Sequence, residues 1–240
     1  MYKGIYTAIS GITGRQKQVD VISQNLANAS TVGYKRDRVS FSTVMAESMA
    51  GGGEPSLLPY SKWLTVMSTP RPDLGQGELV RTGGETNIAL EGQGFFAVQT
   101  PEGTRYTRCG DFRLDADRTM TTPAGYPLLG QSGPISIPLT SEPLVVDDNG
   151  RIFVDGVEVE RLTVVDLKNA RKAGGGLYVG EETESTALVK QGFLEESNVE
   201  PVKEMTDLVQ ALRLYEAGQR IIQSFDTLAS KAVNDVGRAG

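Results

Sequence analysis

Apolar residues recur at seven-residue intervals at both ends of this chain, and that spacing constrains its fold more than any other feature. Near the start, Ile5, Ile12, Val19 and Leu26 fall seven apart, with Ala8, Ile22 and Ala29 at intervening positions and Arg15 interrupting the row. Near the end, Met205, Leu212 and Val233 share one heptad position, and Leu208, Tyr215, Ile222, Ala229 and Val236 share the next. Gln219 and Asp226 break the first of these two rows. A 3.5-residue period gathers such residues into a narrow stripe, the pattern of a helix that meets another helix along a seam. Polar residues inside a seam weaken it and can set its register. Periodicity alone leaves two outcomes open: amphipathic helices packed on the protein's own core, or helices that pair with each other and with neighbouring subunits.

The first helix carries Gly4, Gly11 and Gly14, each costing about 1 kcal/mol relative to Ala in a helix interior. It is predicted to end near Asn28. Thr31-Val32-Gly33-Tyr34 then turns the chain, with Gly33 the candidate for positive φ. The second helix is predicted to start in Ser197-Asn198-Val199-Glu200-Pro201, where Ser or Asn can cap, Glu200 suits the positive helix end and Pro201 fits the first turn.

Between the helices the pattern changes. Residues 43–79 read as an irregular connector, with Gly51-Gly52-Gly53 followed by Pro55, Pro59, Pro70 and Pro72. Residues 80–192 read as short strands such as Ile88-Ala89-Leu90, Phe95-Phe96-Ala97-Val98 and Leu162-Thr163-Val164-Val165. Asn149-Gly150 and Asp155-Gly156 each predict a tight type I′ hairpin turn. Gly174-Gly175-Gly176 reads as a hairpin tip. The expected class is α+β: a helix and turn over 1–42, the connector, a central β-rich domain, and a helix over 193–240 that pairs with the first in a coiled-coil-like assembly domain.

Composition argues against most chemistry. Histidine is absent, so the usual general base and the commonest transition-metal ligand are missing. Cys109 is the sole cysteine, which rules out an internal disulfide, and with no His to activate it a packed bystander is expected. The net charge of −6 is spread along the chain without a polybasic arm, so nucleic acid is not an expected partner. No apolar run reaches the ~20 residues of a membrane span, so no membrane insertion is expected. Met1–Ala8 shows neither a signal-peptide core nor a cleavage site, and these facts alone suggest a soluble cytoplasmic protein.

Gly92-Gln93-Gly94 lacks the third glycine of a phosphate loop and leads into Phe95-Phe96, so a turn between strands is expected. Asp115-Ala116-Asp117 and Asp147-Asp148-Asn149-Gly150 lack the spaced ligands of a calcium loop. No catalytic, cofactor or metal site is therefore expected. Lys35, Arg36 and Arg38 form a small basic cluster, read as solvated surface or as a dock for an acidic neighbour. One reading from a different class stays open on the residues alone: a secreted β-rich enzyme or binding module acting on peptidoglycan, with two of the many carboxylates as its site.

Asn25-Leu26-Ala27-Asn28, Thr31 and Gly33-Tyr34-Lys35 resemble the N-terminal signature N-L-A-N-x-x-T-x-G-Y/F-K/R of the flagellar rod and hook protein family. Two further stretches agree in the right order. Ile88 to Leu129, with Tyr106-Thr107-Arg108 inside it, resembles the family's β domain, and Gly192-Phe193-Leu194-Glu195-Glu196-Ser197-Asn198-Val199 with Met205, Tyr215-Glu216 and Ile222 resembles its C-terminal helix. The compact length and the closing segment Ala229–Arg238 look most like the proximal rod member; the distal rod or hook subunit is the alternative within the family. The resemblance implies export through the flagellar type III apparatus without a cleaved signal, residence in the periplasmic rod of the basal body, and assembly with itself and other rod subunits into a shaft that transmits torque from motor to hook. The residues expected to carry assembly are Ile5, Ala8, Ile12, Val19, Ile22, Gln24, Asn25, Leu26 and Asn28 on the first helix. On the second they are Met205, Leu208, Leu212, Tyr215, Ile222, Ala229 and Val233. Thr31, Gly33 and Tyr34 form the turn.

Overall fold

The computed structural model of the chain describes residues 2–46, 62–67, 69–139 and 143–238. It divides into two compact units: Met1–Leu26, Arg38–Pro70 and Pro201–Gly240 form one, Ala27–Asp37 and Arg71–Glu200 the other. The N-terminal helix α1 covers Tyr2–Ala27 and the C-terminal helix α2 covers Pro201–Arg238. Both boundaries fall where the turn and the proline place them.

In the helical unit the two helices run antiparallel. The Asn25 side chain donates to Glu204 Oε2 across 3.4 Å, and a Cβ built on Gly218 would come within 2.6 Å of Ile12 Cγ1. Among the described side chains of α2, Glu204, Leu208, Ala211, Tyr215, Gly218, Ile222 and Phe225 are buried or half-buried and spaced alternately four and three, with Asp207 half-buried beside them. That is a seam, but one of its two rows lies one residue earlier than the apolar pattern predicts. Met205 and Leu212 are 52% and 41% exposed, while Ala211 and Gly218 take the inner row. Small residues win these positions because they let the helix backbones approach. On α1, Ile22 and Asn25 are buried, Ile12, Val19, Leu26 and Asn28 half-buried, and Gln24 exposed. The side chains of Ile5, Ala8, Asp226, Ala229, Val233 and Val236 lie outside the described residues.

The stretch read as irregular also contains order. Phe41–Ala46 pairs antiparallel with Lys62–Met67, from Phe41 opposite Met67 to Ala46 opposite Lys62. The β-prone run Trp63-Leu64-Thr65-Val66-Met67 outweighs the nearby prolines, which sit beyond it. The glycine run 51–53 lies outside the described residues.

The β unit is built around the strand Phe95–Thr100, which is buried on both faces over Phe95–Val98. Phe96 and Val98 enter a core with Ile88, Leu90, Phe112, Met120, Leu128 and Ile152. Phe95 and Ala97 enter a second core with Tyr106, Leu167 and Tyr178. The strand closes a four-stranded barrel with Gly103–Thr107, Leu177–Glu184 and Val164–Gly174, the last two joined through the left-handed Gly174, Gly175 and Gly176. A three-stranded sheet, Val145–Val146, Arg151–Val154 and Val157–Arg161, packs beside it. Its second turn is type I′ as predicted: Asp155 and Gly156 both have positive φ, 54° and 75°, and Val154 faces Val157. The first turn is not. Only Gly150 is left-handed, and the loop closes through Gly150 N–H to Asp147 O at 2.9 Å and Asp147 N–H to Arg151 O at 3.0 Å. The Asp147 carboxylate selects this longer loop by accepting the N–H groups of Asn149 and Arg151 and pairing with the Arg151 guanidinium.

Candidate functional site: a buried ion cluster joining three chain segments

The segment leaving α1 turns as its residues require. Asn28 C=O accepts the Thr31 N–H at 3.1 Å, and Thr31 C=O accepts the Tyr34 N–H at 3.2 Å. Gly33 has φ 68°, the left-handed conformation anticipated for it. A second demand was not anticipated. A Cβ on Gly33 would lie 2.4 Å from the Arg108 carbonyl carbon and 2.5 Å from Cys109 N, so backbone passes where a side chain would stand. Its N–H donates to Glu195 O at 2.7 Å. Tyr34 is buried under Lys172, whose ammonium lies 3.9 Å from the ring centre and 2.9 Å from Asp37.

Lys35 overturns the surface reading of the basic cluster. Its side chain is 1% exposed, as is that of Glu195, and the two meet at 2.6 Å. Lys35 Nζ also donates to Gly75 O at 2.9 Å. The other Glu195 oxygen accepts from Arg108 Nε at 2.6 Å, and the Gly77 N–H adds a further bond to Oε1 at 2.8 Å. Arg108 spends its remaining donors on Gly92 O and Gly94 O, the carbonyls of the turn that superficially resembled a phosphate loop. Burial holds the Lys35 ammonium below its ordinary pKa, with Glu195 pulling the other way. Two buried cations thus share one fully bonded carboxylate. Arg36 completes the edge: its N–H donates to Asn198 Oδ1 at 2.7 Å and its guanidinium pairs with Asp73 at 3.0 Å and Glu200 at 3.6 Å. Only Arg38 of the predicted cluster is exposed. The acidic neighbour of these cations lies in the same chain.

Asn198 is therefore no helix cap. Its amide donates to Asp73 O and Gly75 O at 2.8 and 2.9 Å, and its own N–H reaches Tyr34 O at 3.3 Å. The chain leaving α1 and the chain entering α2 are clamped together within the β unit, with Arg108 from the barrel as the third member.

The rest of the molecule offers little chemistry. The Cys109 thiol is half-buried and burial pushes its pKa up, away from the thiolate. Asp115 accepts the Thr119 N–H at 2.8 Å, so like Asp147 it serves a turn. Among the described residues no three His, Cys, Asp or Glu side chains gather as a metal site, and no helix is long and apolar enough to cross a membrane. Periodicity and composition missed Glu195, Arg108, Asp73, Glu204 and Gly218, and read Asn198 only as a cap; the signal that touched Glu195, Arg108 and Asn198 was the family resemblance of their segments.

Three family models match the chain in order: flagella basal body rod protein over residues 5–35, the D1 domain of the flagellar hook protein FlgE/F/G over 89–154, and the C-terminal region of the flagellar basal body rod FlgEFG protein over 190–235. The chain is 30% identical over 249 residues to the flagellar basal-body rod protein FlgF of Caulobacter vibrioides, covering 99% of each. It is 29% identical over 268 residues to FlgG of Bacillus subtilis, covering 98% of this chain and 99% of the relative. To the flagellar hook-basal body complex protein FlhO of Bacillus subtilis it is 31% identical over 274 residues, covering 99% of this chain and all of the relative.

Proposed function

The chain belongs to the flagellar rod and hook protein family, and from that membership we propose that it is the proximal rod subunit, a structural part of the periplasmic drive shaft that carries torque from motor to hook. The observation that carries this reading is the clamp. Lys35, Arg108 and Glu195 come one each from the three stretches that resemble the family. A shaft subunit must pass load between its helices and its β unit without yielding. Buried charge pairs resist sliding because separating them exposes unpaired charge in a poor solvent for it. The assembly seam is that of Ile12, Val19, Ile22, Asn25 and Leu26 on α1 with Leu208, Tyr215 and Ile222 on α2; Gln24, Met205 and Leu212, exposed in the single chain, face outward to neighbours. The compact proximal member is favoured because alignments with the FlgG and FlhO relatives extend to 268 and 274 positions around a chain of 240. Those relatives carry segments that this chain lacks. Export through the type III apparatus precedes assembly.

The test is deletion with biochemical localisation. Immunoblots of purified basal bodies should contain the chain, and its in-frame deletion should abolish swimming and complete rods while leaving the membrane-embedded base. Full motility in the deletion strain, or absence of the chain from basal bodies, would overturn the reading.

A further inference from the structure

Beyond the seam with α1, α2 carries seven apolar side chains that the single chain leaves between 41 and 79% exposed. They form two groups. Val202, Met205, Val209 and Leu212 lie in the first half, spaced three, four and three. Leu214, Ile221 and Leu228 lie in the second half, spaced seven. At 3.6 residues per turn the first group centres about 120° round the helix from Glu204 and the second about 260°. The seam with α1 lies between the two stripes, so they occupy opposite flanks. Each flank is polar where the other is apolar: Lys203 and Gln210 share the second flank in the first half, and Glu216 and Gln223 share the first flank in the second half.

This pattern complements itself under one operation. Two parallel α2 helices placed side by side without shift would set Met205 and Val209 against Lys203 and Gln210. Sliding one copy by the distance between the stripe centres, residue 207 to residue 221 and so two heptads or about 21 Å, sets apolar stripe against apolar stripe and carries Lys203 and Gln210 clear of it. Resting on the rod-subunit reading above, we propose that α2 docks on α2 of a second copy of this chain, the first-half stripe of one copy on the second-half stripe of the next, parallel and shifted by about two heptads. The contact is heterologous and does not close, so it propagates. Each overlap spans about two heptads or less, below the three to four that sustain a coiled coil. A pair of free chains is therefore not held together, and the contact persists where each α2 has both stripes covered. α2 also outruns its partner helix. With Asn25 opposite Glu204 and Ile12 opposite Gly218, paired numbers sum to 229–230, so Tyr2 falls opposite residue 227 or 228. The last ten or so residues to Arg238 continue past α1.

The experiment is cross-linking in purified basal bodies. Val209→Cys and Ile221→Cys are placed together in a Cys109→Ser chain, and a short bis-maleimide is added. Twelve residues along one helix span about 18 Å, so a short link forms only between copies. A ladder from the double variant, with no dimer from either single variant, is expected. Dimers from a single variant, or no ladder from chain that immunoblots find in basal bodies, would overturn the stagger. A charge swap tests the same contact if the cysteines prevent assembly: Val209→Glu and Ile221→Lys should each cut rod yield at least tenfold, and the double variant should restore most of it. Failure of the double to exceed the singles would also overturn the pairing. Absence of the wild-type chain from basal bodies would instead defeat the rod reading, and the pairing with it.

Discussion

Glu195 to Gln isolates the clamp from everything else the fold does. The substitution keeps size and two hydrogen-bonding atoms but deletes the anion shared by Lys35 and Arg108, each 2.6 Å away. Removing one partner of a buried pair costs about 3–5 kcal/mol, because the survivor stays buried and uncompensated. Here two cations survive, so the upper part of that range applies. A domain of this kind is stable by about 5–15 kcal/mol in all, so about a quarter or more of the margin is lost. Lys35→Met provides the contrast. It removes one cation and leaves the Glu195–Arg108 pair and the Gly77 bond intact, so less than about 2 kcal/mol is expected. The loss in Glu195→Gln also depends on pH. Burial already lowers the Lys35 pKa against the pull of Glu195, and without Glu195 it falls further. Between that folded value and the ordinary lysine value of about 10.4, the unfolded chain binds the extra proton, so stability rises with pH. The Glu195→Gln deficit should therefore shrink from neutral pH toward pH 10. Urea unfolding of the purified chain by far-ultraviolet circular dichroism, at several pH values, measures all three quantities. A Glu195→Gln loss under about 1 kcal/mol, or a Lys35→Met loss as large as that of Glu195→Gln, would refute the reasoning.

Further outcomes follow from single contacts. Gly33→Ala should cost at least about 2 kcal/mol, from the left-handed backbone together with the 2.4 Å approach to Arg108, and a wild-type urea midpoint would defeat that account. Gly218→Val should leave the midpoint of the β unit unchanged but abolish rods in basal-body preparations, since its Cβ would meet Ile12 at 2.6 Å; normal rods would mean that the helices do not close on this seam in the polymer. Tyr178 is fully buried and its hydroxyl faces the Lys35 backbone without reaching hydrogen-bond geometry. Burial raises its pKa, so its contribution is complete below the unfolded tyrosine value of about 10 and is lost as pH rises beyond it. Tyr178→Phe should accordingly be neutral or stabilising by up to about 1 kcal/mol at pH 8 and flatten the decline above pH 10; an unchanged alkaline slope would count against this. Cys109→Ser should leave swimming and assembly near wild type, and loss of function with an intact fold would point to thiol chemistry.

The two terminal helices were legible because heptad spacing is a property of local sequence. The seam was legible only by half. Leu208, Tyr215 and Ile222 lie on the row that apolarity marks, whereas its companion row is Glu204, Ala211, Gly218 and Phe225. A count of large apolar residues favours Met205 and Leu212 and passes over Gly218, although a missing side chain is what admits Ile12. The displaced residues are not errors of pattern. They belong to the outward stripes, and a single chain cannot show which of several apolar rows its own partner helix will take. The Asn149-Gly150 turn failed for a comparable reason: the dipeptide suits type I′, but Asp147, two residues earlier, supplies a carboxylate that stabilises a longer loop.

The clamp was the least legible part because burial of charge has no periodicity. Lys35, Arg36 and Arg38 look alike in sequence, yet one is buried, one half-buried and one exposed. What separates them is the position of Glu195, 160 residues away, and no local rule reaches that far. The resemblance carried what periodicity did not. Gly-Tyr-Lys, Tyr-Thr-Arg and Phe-Leu-Glu stand in three separate stretches of sequence that share no helix or strand pattern, and they meet at one carboxylate. A buried network of this kind is costly to assemble and severe to break. It sits on the segments that leave α1 and enter α2, so a slip there would move both helices at once. The Glu195→Gln and Lys35→Met pair measures that cost in the free chain, and the same variants in basal bodies would show whether rod breakage under graded shear follows it.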